Sequence, residues 1–230
     1  MNDAATVATR LADVRARIAA AGGGPEVGVL AVTKAFGPDV VDIAVAAGCD
    51  AIGENYAQEL VAKRDAIAGH AGLGVHFIGQ LQTNKVRQLA GLVTVYETVD
   101  RTKLAREIAK RAPGAAVLVQ VDTSALTGDT AAGKGGCPIA ELDALVDSVG
   151  ELDLELRGLM TVGPTEGGPA AARPGFDAVR AAVDRLGLAE CSMGMSDDLE
   201  VAVECGSTQV RVGTALFGSR PVPIWRDQER

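Results

Sequence analysis

Aromatic residues are scarce, 3% of the chain with one Trp, two Tyr and four Phe, which leaves no run of rings on which nucleic-acid bases could stack. Basic residues are outnumbered, 22 Lys and Arg against 30 Asp and Glu, and the formal charge of −8 supplies no cationic groove for a phosphate backbone. Nucleic acid is therefore not an expected partner. Cys49, Cys137, Cys191 and Cys205 are widely separated with no CxxC pair, and the only histidines are His70 and His76, so a zinc cluster is not expected either. No apolar run approaches the roughly 18 residues of a membrane span, and the N-terminal MNDAATVATRLADVRARIAAAGGG lacks the apolar block of a signal peptide. These absences predict a cytoplasmic protein with reduced thiols and no membrane partner.

What is present is ordinary for a globular domain: 230 residues, 47% hydrophobic and 23% charged, with no linker or charge run to divide them. A chain of this size buries about 70% of its extended surface without disulfide staples, and one domain spanning 1–230 is the simplest organisation. Apolar, β-branched runs recur at 27–34, 50–55, 74–80, 92–98, 115–122, 154–161, 190–195 and 208–214. Helix-like segments separate them, with Pro38 and Gly48 bracketing one and Asp100 placed to cap another. Eight such units behind an amphipathic helix at 5–20 predict an α/β protein, a single (β/α)₈ TIM barrel with an extra N-terminal helix. An open doubly wound sheet uses the same units and is the alternative. The Gly-, Ala- and Thr-rich stretches 123–138 and 162–175 read as loops at the barrel's C-terminal face.

Of the six lysines, five fall in helix-like or loop segments where a solvated charge is the ordinary reading. Lys34 differs, because it closes the apolar run VGVLAVTK and so stands at the rim where barrel enzymes place their chemistry. Partial desolvation there favours a neutral amine able to attack an aldehyde; the alternative is a strand-end lysine paired with a carboxylate such as Glu54. Barrels commonly bind phosphate at the loops after strands 7 and 8. Here those loops carry Ser196, placed to cap the following helix, and Gly213 with Thr214, offering close backbone approach and a hydroxyl. Arg211 lies between Val210 and Val212, so alternation turns it to the opposite face, into the barrel, where it needs a partner: a carboxylate, or the ring nitrogen of a cofactor. Since Arg stays protonated, a pyridine nitrogen bound to it remains neutral and a poor electron sink.

A rim lysine, a phosphate cradle and an arginine facing a ring suit pyridoxal 5′-phosphate (PLP). The chain resembles the pyridoxal phosphate homeostasis proteins in AVTK (31–34), GENYAQEL (53–60), HFIGQLQTNK (76–85), TVDR (98–101), RGLMT (157–161), SMGMSDD (192–198) and GSTQVRVGTALFG (206–218), in matching order. The resemblance implies a barrel similar to the alanine racemase N-terminal domain, with PLP joined to Lys34 as a Schiff base. It further implies Arg211 at the pyridine nitrogen, Ser196, Gly213 and Thr214 on the phosphate, and Asn55 facing the ring. Ser192, Gly194 and Met195 would supply wall or backbone contacts, and His76 and Lys85 receive no role. The implied function is that of a carrier and buffer in vitamin B6 homeostasis, a monomer without catalysis of its own, with apo PLP-dependent enzymes as recipients. An amino-acid racemase is the alternative; it needs a second acid/base group opposite the lysine, for which neither Tyr56 nor Tyr96 has evident support. A third reading makes Lys34 an aldolase-type lysine acting on a phosphorylated sugar. The Ala/Gly-rich segment 123–138, with Lys134, Gly135 and Gly136 near its end, departs from the shorter polar turn of many relatives.

Overall fold

The computed structural model describes residues 3–130 and 134–219. Its parallel strands are β1 (Gly28–Val32), β2 (Ala51–Glu54), β3 (Gly74–Phe77), β4 (Val95–Val99), β5 (Ala115–Asp122), β6 (Leu154–Thr161), β7 (Glu190–Ser192) and β8 (Gln209–Val212). Each pairs with the next, and β8 pairs with β1, with Leu30 opposite Arg211, so the sheet closes as the predicted eight-stranded barrel rather than as an open sheet. A two-residue bridge, Cys137–Pro138, pairs only with the end of β5 and lies outside the ring.

The helices alternate with the strands: α1 (Ala4–Ala20), α2 (Asp39–Ala46), α3 (Ala57–Ala62), α4 (Arg64–Ala68), α5 (Val86–Leu89), α6 (Thr102–Arg111), α7 (Ser124–Thr127), α8 (Leu142–Gly150), α9 (Gly168–Arg185), α10 (Leu199–Glu204) and α11 (Thr214–Phe217). The helix α1 precedes the repeating units. It buries Val7, Leu11, Val14 and Ile18, residues three or four apart that form one stripe, and Asp3 caps its start by accepting from Thr6 N at 2.7 Å. The larger core lies between strands and helices, while a small cluster of Val95, Ala116, Leu118 and Met160 fills part of the barrel interior. Buried polar groups, among them Glu97, Gln120, Ser192 and Arg211, share that interior.

Several local expectations are corrected. The runs at 190–195 and 208–214 are strands only to Ser192 and Val212, because Gly194 turns the chain with φ of 93° and Gly213 begins the turn into α11. The stretch 162–175 is a loop only in its first part: α9 starts at Gly168 after left-handed Gly167, has Pro in its first turn, and runs through Pro174. Packing of Ala172, Gly175 and Phe176 overrides the breaker composition. Within 123–138 the short α7 forms directly after β5. Asp100 does not cap α6; Arg101 holds that position, and its guanidinium pairs with Asp100. Nor does Ser196 cap α10, whose N-cap is Asp198.

Candidate functional site

Alternation along β1 sends Leu30, Val32 and Lys34 toward the barrel axis and Ala31 and Thr33 toward the helix layer. Lys34 accordingly lines a cavity of about 360 Å³ at the C-terminal mouth. The backbone on either side of it is held firmly. Lys63, at the end of α3, is only 1% exposed; its Nζ donates to the Thr33 carbonyl at 2.7 Å and pairs with Glu54 Oε1, which also accepts from Thr33 Oγ1 at 2.6 Å. The expectation of a solvated Lys63 is thus overturned, and Glu54 takes Lys63 as its partner. Burial raises the Glu54 carboxyl above its ordinary value, against the pull of Lys63. On the other side Ala35 adopts a left-handed φ of 69°, a strained value for a residue with a Cβ, and its N–H donates to Glu59 Oε2 at 2.7 Å.

Arg211 forms part of the cavity floor and is otherwise buried. Its Nη1 donates to the carbonyl and the hydroxyl of Ser192, both at 2.8 Å, and Nη2 donates to the Thr161 carbonyl at 2.6 Å. The Ser192 hydroxyl in turn donates to Glu97 Oε2 at 2.6 Å, while Glu97 Oε1 lies 2.7 Å from Gln209 Nε2 and 2.5 Å from His76 Nδ1. A continuous polar chain therefore runs inside the barrel from His76 to Arg211. Burial alone would raise the Glu97 carboxyl, but the hydrogen bond and charge of His76, with help from Arg211 and Ser192, hold it below its ordinary value. Burial lowers the Arg211 guanidinium, opposed by the negative charges of Glu97 and Asp198.

The loops after β7 and β8 complete the cavity. Gly194 turns the first loop, with its carbonyl accepting from Arg211 N at 2.9 Å, and Asp198 Oδ1 secures it by accepting from Met195 N at 2.5 Å. Burial raises the Asp198 carboxyl, and the Met195 N–H works against that rise. Ser196 Oγ accepts from Ala215 N at 3.4 Å, linking this loop to the first turn of α11. Gly213 stands where an added Cβ would lie 3.3 Å from the Val32 carbonyl, a tight fit that keeps this backbone close to β1.

Seven of the sequence-predicted residues meet at the cavity: Lys34, Asn55, Met195, Ser196, Arg211, Gly213 and Thr214. Ser192 and Gly194 are buried behind it, Ser192 against the Arg211 guanidinium and Gly194 against its backbone. Sequence reasoning missed Gln80, Gln120 and Lys134, which line the opposite wall. The Lys134 carbonyl accepts from Gln120 Nε2 at 2.7 Å, and its Nζ donates to the Gly163 carbonyl at 2.6 Å and pairs with Asp129, so the segment after β5 is drawn onto the loop after β6. It also missed Glu97, although a glutamate amid the apolar residues of β4 signals a buried charge that must find partners. His76 is one of those partners. Lys85 ends a 3₁₀ turn and does not line the cavity.

A closed parallel barrel with a lysine at the rim of β1, an arginine inside β8 and a hydroxyl-bearing cradle beside them defines a class of cofactor barrel, and residues 3–221 match the family described as alanine racemase, N-terminal domain. The chain is 41% identical over 227 residues to the pyridoxal phosphate homeostasis protein of Pseudomonas aeruginosa, covering 94% of this chain and 96% of that one. It is 38% identical over 242 residues to the protein of that name in Escherichia coli K12, covering 96% and 98%. Among solved structures, PipY of Synechococcus elongatus with PLP bound superposes with a TM-score of 0.79 at 31% identity, over 92% of this chain and 100% of that one. The chain belongs to the pyridoxal phosphate homeostasis protein family. An alanine racemase of Clostridium difficile, 16% identical with a TM-score of 0.69 over 93% of this chain and 60% of that one, shares the fold.

Proposed function

We propose that this protein binds PLP through a Schiff base to Lys34 and serves as a monomeric cytoplasmic carrier and buffer of the cofactor, handing it to apo PLP-dependent enzymes without turnover of its own. The observation that carries this reading is the convergence of the Lys34 amine, the Arg211 cation and the Ser196 and Thr214 hydroxyls on one cavity. The donor set fits a phosphorylated pyridine aldehyde. Asn55 Oδ1 is buried at this cavity with no hydrogen-bond partner among the described residues, as expected of a group that a ligand satisfies. The name of the relatives and the PLP held by PipY support the same choice of cofactor.

When bound, the cofactor supplies an aldehyde carbon that an amine attacks reversibly with loss of water. Lys34 is the amine, and Thr33, Lys63, Glu54 and Glu59 fix the backbone that carries it. Arg211 offers a permanent donor to the pyridine nitrogen, and its charge keeps that nitrogen unprotonated, which disfavours carbanion chemistry. Ser196, Gly213 and Thr214 hold the phosphate, Asn55 faces the ring, and Met195 walls the mouth. Ser192 and Gly194 act by placing Arg211.

Racemisation needs a second acid/base group opposite the lysine. Tyr96 is fully buried, its phenol is pushed up to about 12 by burial, and neither it nor Tyr56 lines the cavity, which favours the carrier over the racemase. The test is transfer of PLP from the loaded protein to an apo-enzyme, set against free PLP at equal concentration. Recovery of activity at a rate distinct from that of free PLP, without deuterium exchange at Cα of added alanine, is the expected result. Rapid exchange would replace the carrier by a racemase.

A further inference from the structure

Resting on the PLP reading above, we infer that α1 is a brace for the phosphate cradle, with Arg17 and Arg10 as positioning residues that set how tightly the phosphate end of the cofactor is held. The two arginines are seven residues apart, two helical turns, and so share one face of α1. Each reaches one half of the cradle. Arg17 Nη2 donates to the carbonyl of Ser196 at 2.8 Å, and the same guanidinium grips Glu200 of α10 through Nε at 2.6 Å and Nη2 at 2.9 Å. Arg10 Nη1 donates at 2.9 Å to the carbonyl of Leu216, in the last turn of α11, where helix carbonyls lack partners within the helix. Neither arginine lines the cavity. The two halves are joined at their base, where Arg211 N donates to the Gly194 carbonyl at 2.9 Å, but nearer the mouth Ser196 meets α11 through the long Ala215 N to Ser196 Oγ contact of 3.4 Å, so the outer part of the cradle gains most from a grip outside it.

Electrostatics point the same way. The cradle includes Asp197, with Asp198 beside it, in a protein of net charge −8, and both carboxylates oppose a phosphate dianion. Arg17 lies near enough to interact with Asp197 as well as Glu200. The stem of α1 is anchored by its buried stripe, which lets it act as a fixed support rather than a mobile arm. An isolated surface pair of Arg17 and Glu200 would contribute little. What distinguishes this one is the third bond, made to the peptide that carries the Ser196 hydroxyl.

The experiment measures dissociation of PLP and of 5-deoxypyridoxal, which has the same ring aldehyde without the phosphate, from the wild type and from Arg17→Met, Arg10→Met and Glu200→Gln, with circular dichroism confirming the fold. Loss of one charge-assisted bond predicts PLP release faster by about tenfold in Arg17→Met, with 5-deoxypyridoxal unchanged. Arg10→Met gives the same selective loss, and Glu200→Gln, which keeps the arginine on Ser196, gives a smaller one. Equal weakening of both ligands, or no effect on PLP in either arginine variant, overturns the brace. If the wild type forms no imine absorption with either aldehyde, the PLP reading itself has failed.

Discussion

Arg211 and Lys34 reach the same cavity by opposite strategies, one fixed through its side chain and the other through its backbone. The guanidinium is held by Ser192 and Thr161, and behind Ser192 stands Glu97 with His76. Ser192→Ala removes the link without changing the packing volume much, so the barrel should stay folded while the absorption maximum of bound PLP shifts toward that of Arg211→Gln; an unchanged spectrum would separate Glu97 from the site. Because the Glu97 carboxyl is held below its ordinary value, the folded state binds protons less readily there than the unfolded chain does. Its contribution is complete above the unfolded glutamate value of roughly 4.3 and is lost as pH falls through the folded one. Thermal melts from pH 6 down to pH 3 should therefore show a steeper loss for the wild type than for Glu97→Gln. Lys63→Met leaves Glu54 as an uncompensated buried charge and should cost about 3–5 kcal/mol in denaturant unfolding, with Lys63→Met/Glu54→Leu recovering much of it. The cavity positions were legible in the sequence: Lys34 from its strand end, Arg211 from alternation, and Asn55 from the family resemblance. The buried ones were not, since nothing local distinguishes Lys63 from a solvated helix lysine, and its partner is set by how α3 packs on β2.

The strand-to-loop junctions carry the strain of the site. Ala35 holds φ of 69° immediately after Lys34. The left-handed conformation costs a residue with a Cβ about 1–2 kcal/mol, whereas glycine adds about 0.5–1 kcal/mol of unfolded-chain entropy, so Ala35→Gly should stabilise the fold slightly. Its informative effect is on Lys34, whose imine should form more slowly once the backbone is less restricted; a stopped-flow titration with PLP measures this. Gly194 is the opposite case. Its φ of 93° and an added Cβ 2.4 Å from that of Ala202 make Gly194→Ala doubly unfavourable. Strain and overpacking together predict a loss of about 2–5 kcal/mol. Existence and order of the elements were readable from apolar periodicity, and so was α1 from its stripe. The ends were less so, because Gly167, Gly168, Pro169 and Pro174 read locally as a loop, while the first half of α9 exists through contacts of Ala172 and Gly175 with distant segments such as Gly163 and Thr123.

At the scale of the whole molecule, ring closure brings the cradle loops after β7 and β8 next to the lysine of β1, since β8 and β1 are neighbours in the barrel though far apart in sequence. Eight alternating units suggested that closure; the pairing of β8 with β1 and of β4 with β5 establishes it. On the proposed binding mode, with anchors at Lys34 and at the cradle, the cofactor cross-links adjacent strands of the ring, so saturating PLP should raise the midpoint of thermal unfolding, by the equivalent of about 2.7 kcal/mol at a hundredfold excess over Kd. Inorganic phosphate, which engages only the cradle, should raise it less. The most direct measurement is borohydride reduction of the PLP-loaded protein followed by peptide mass analysis. The account predicts one pyridoxyl mass, on Lys34; that mass on Lys63, Lys134 or another lysine, or its absence from a protein that still binds PLP, would contradict it.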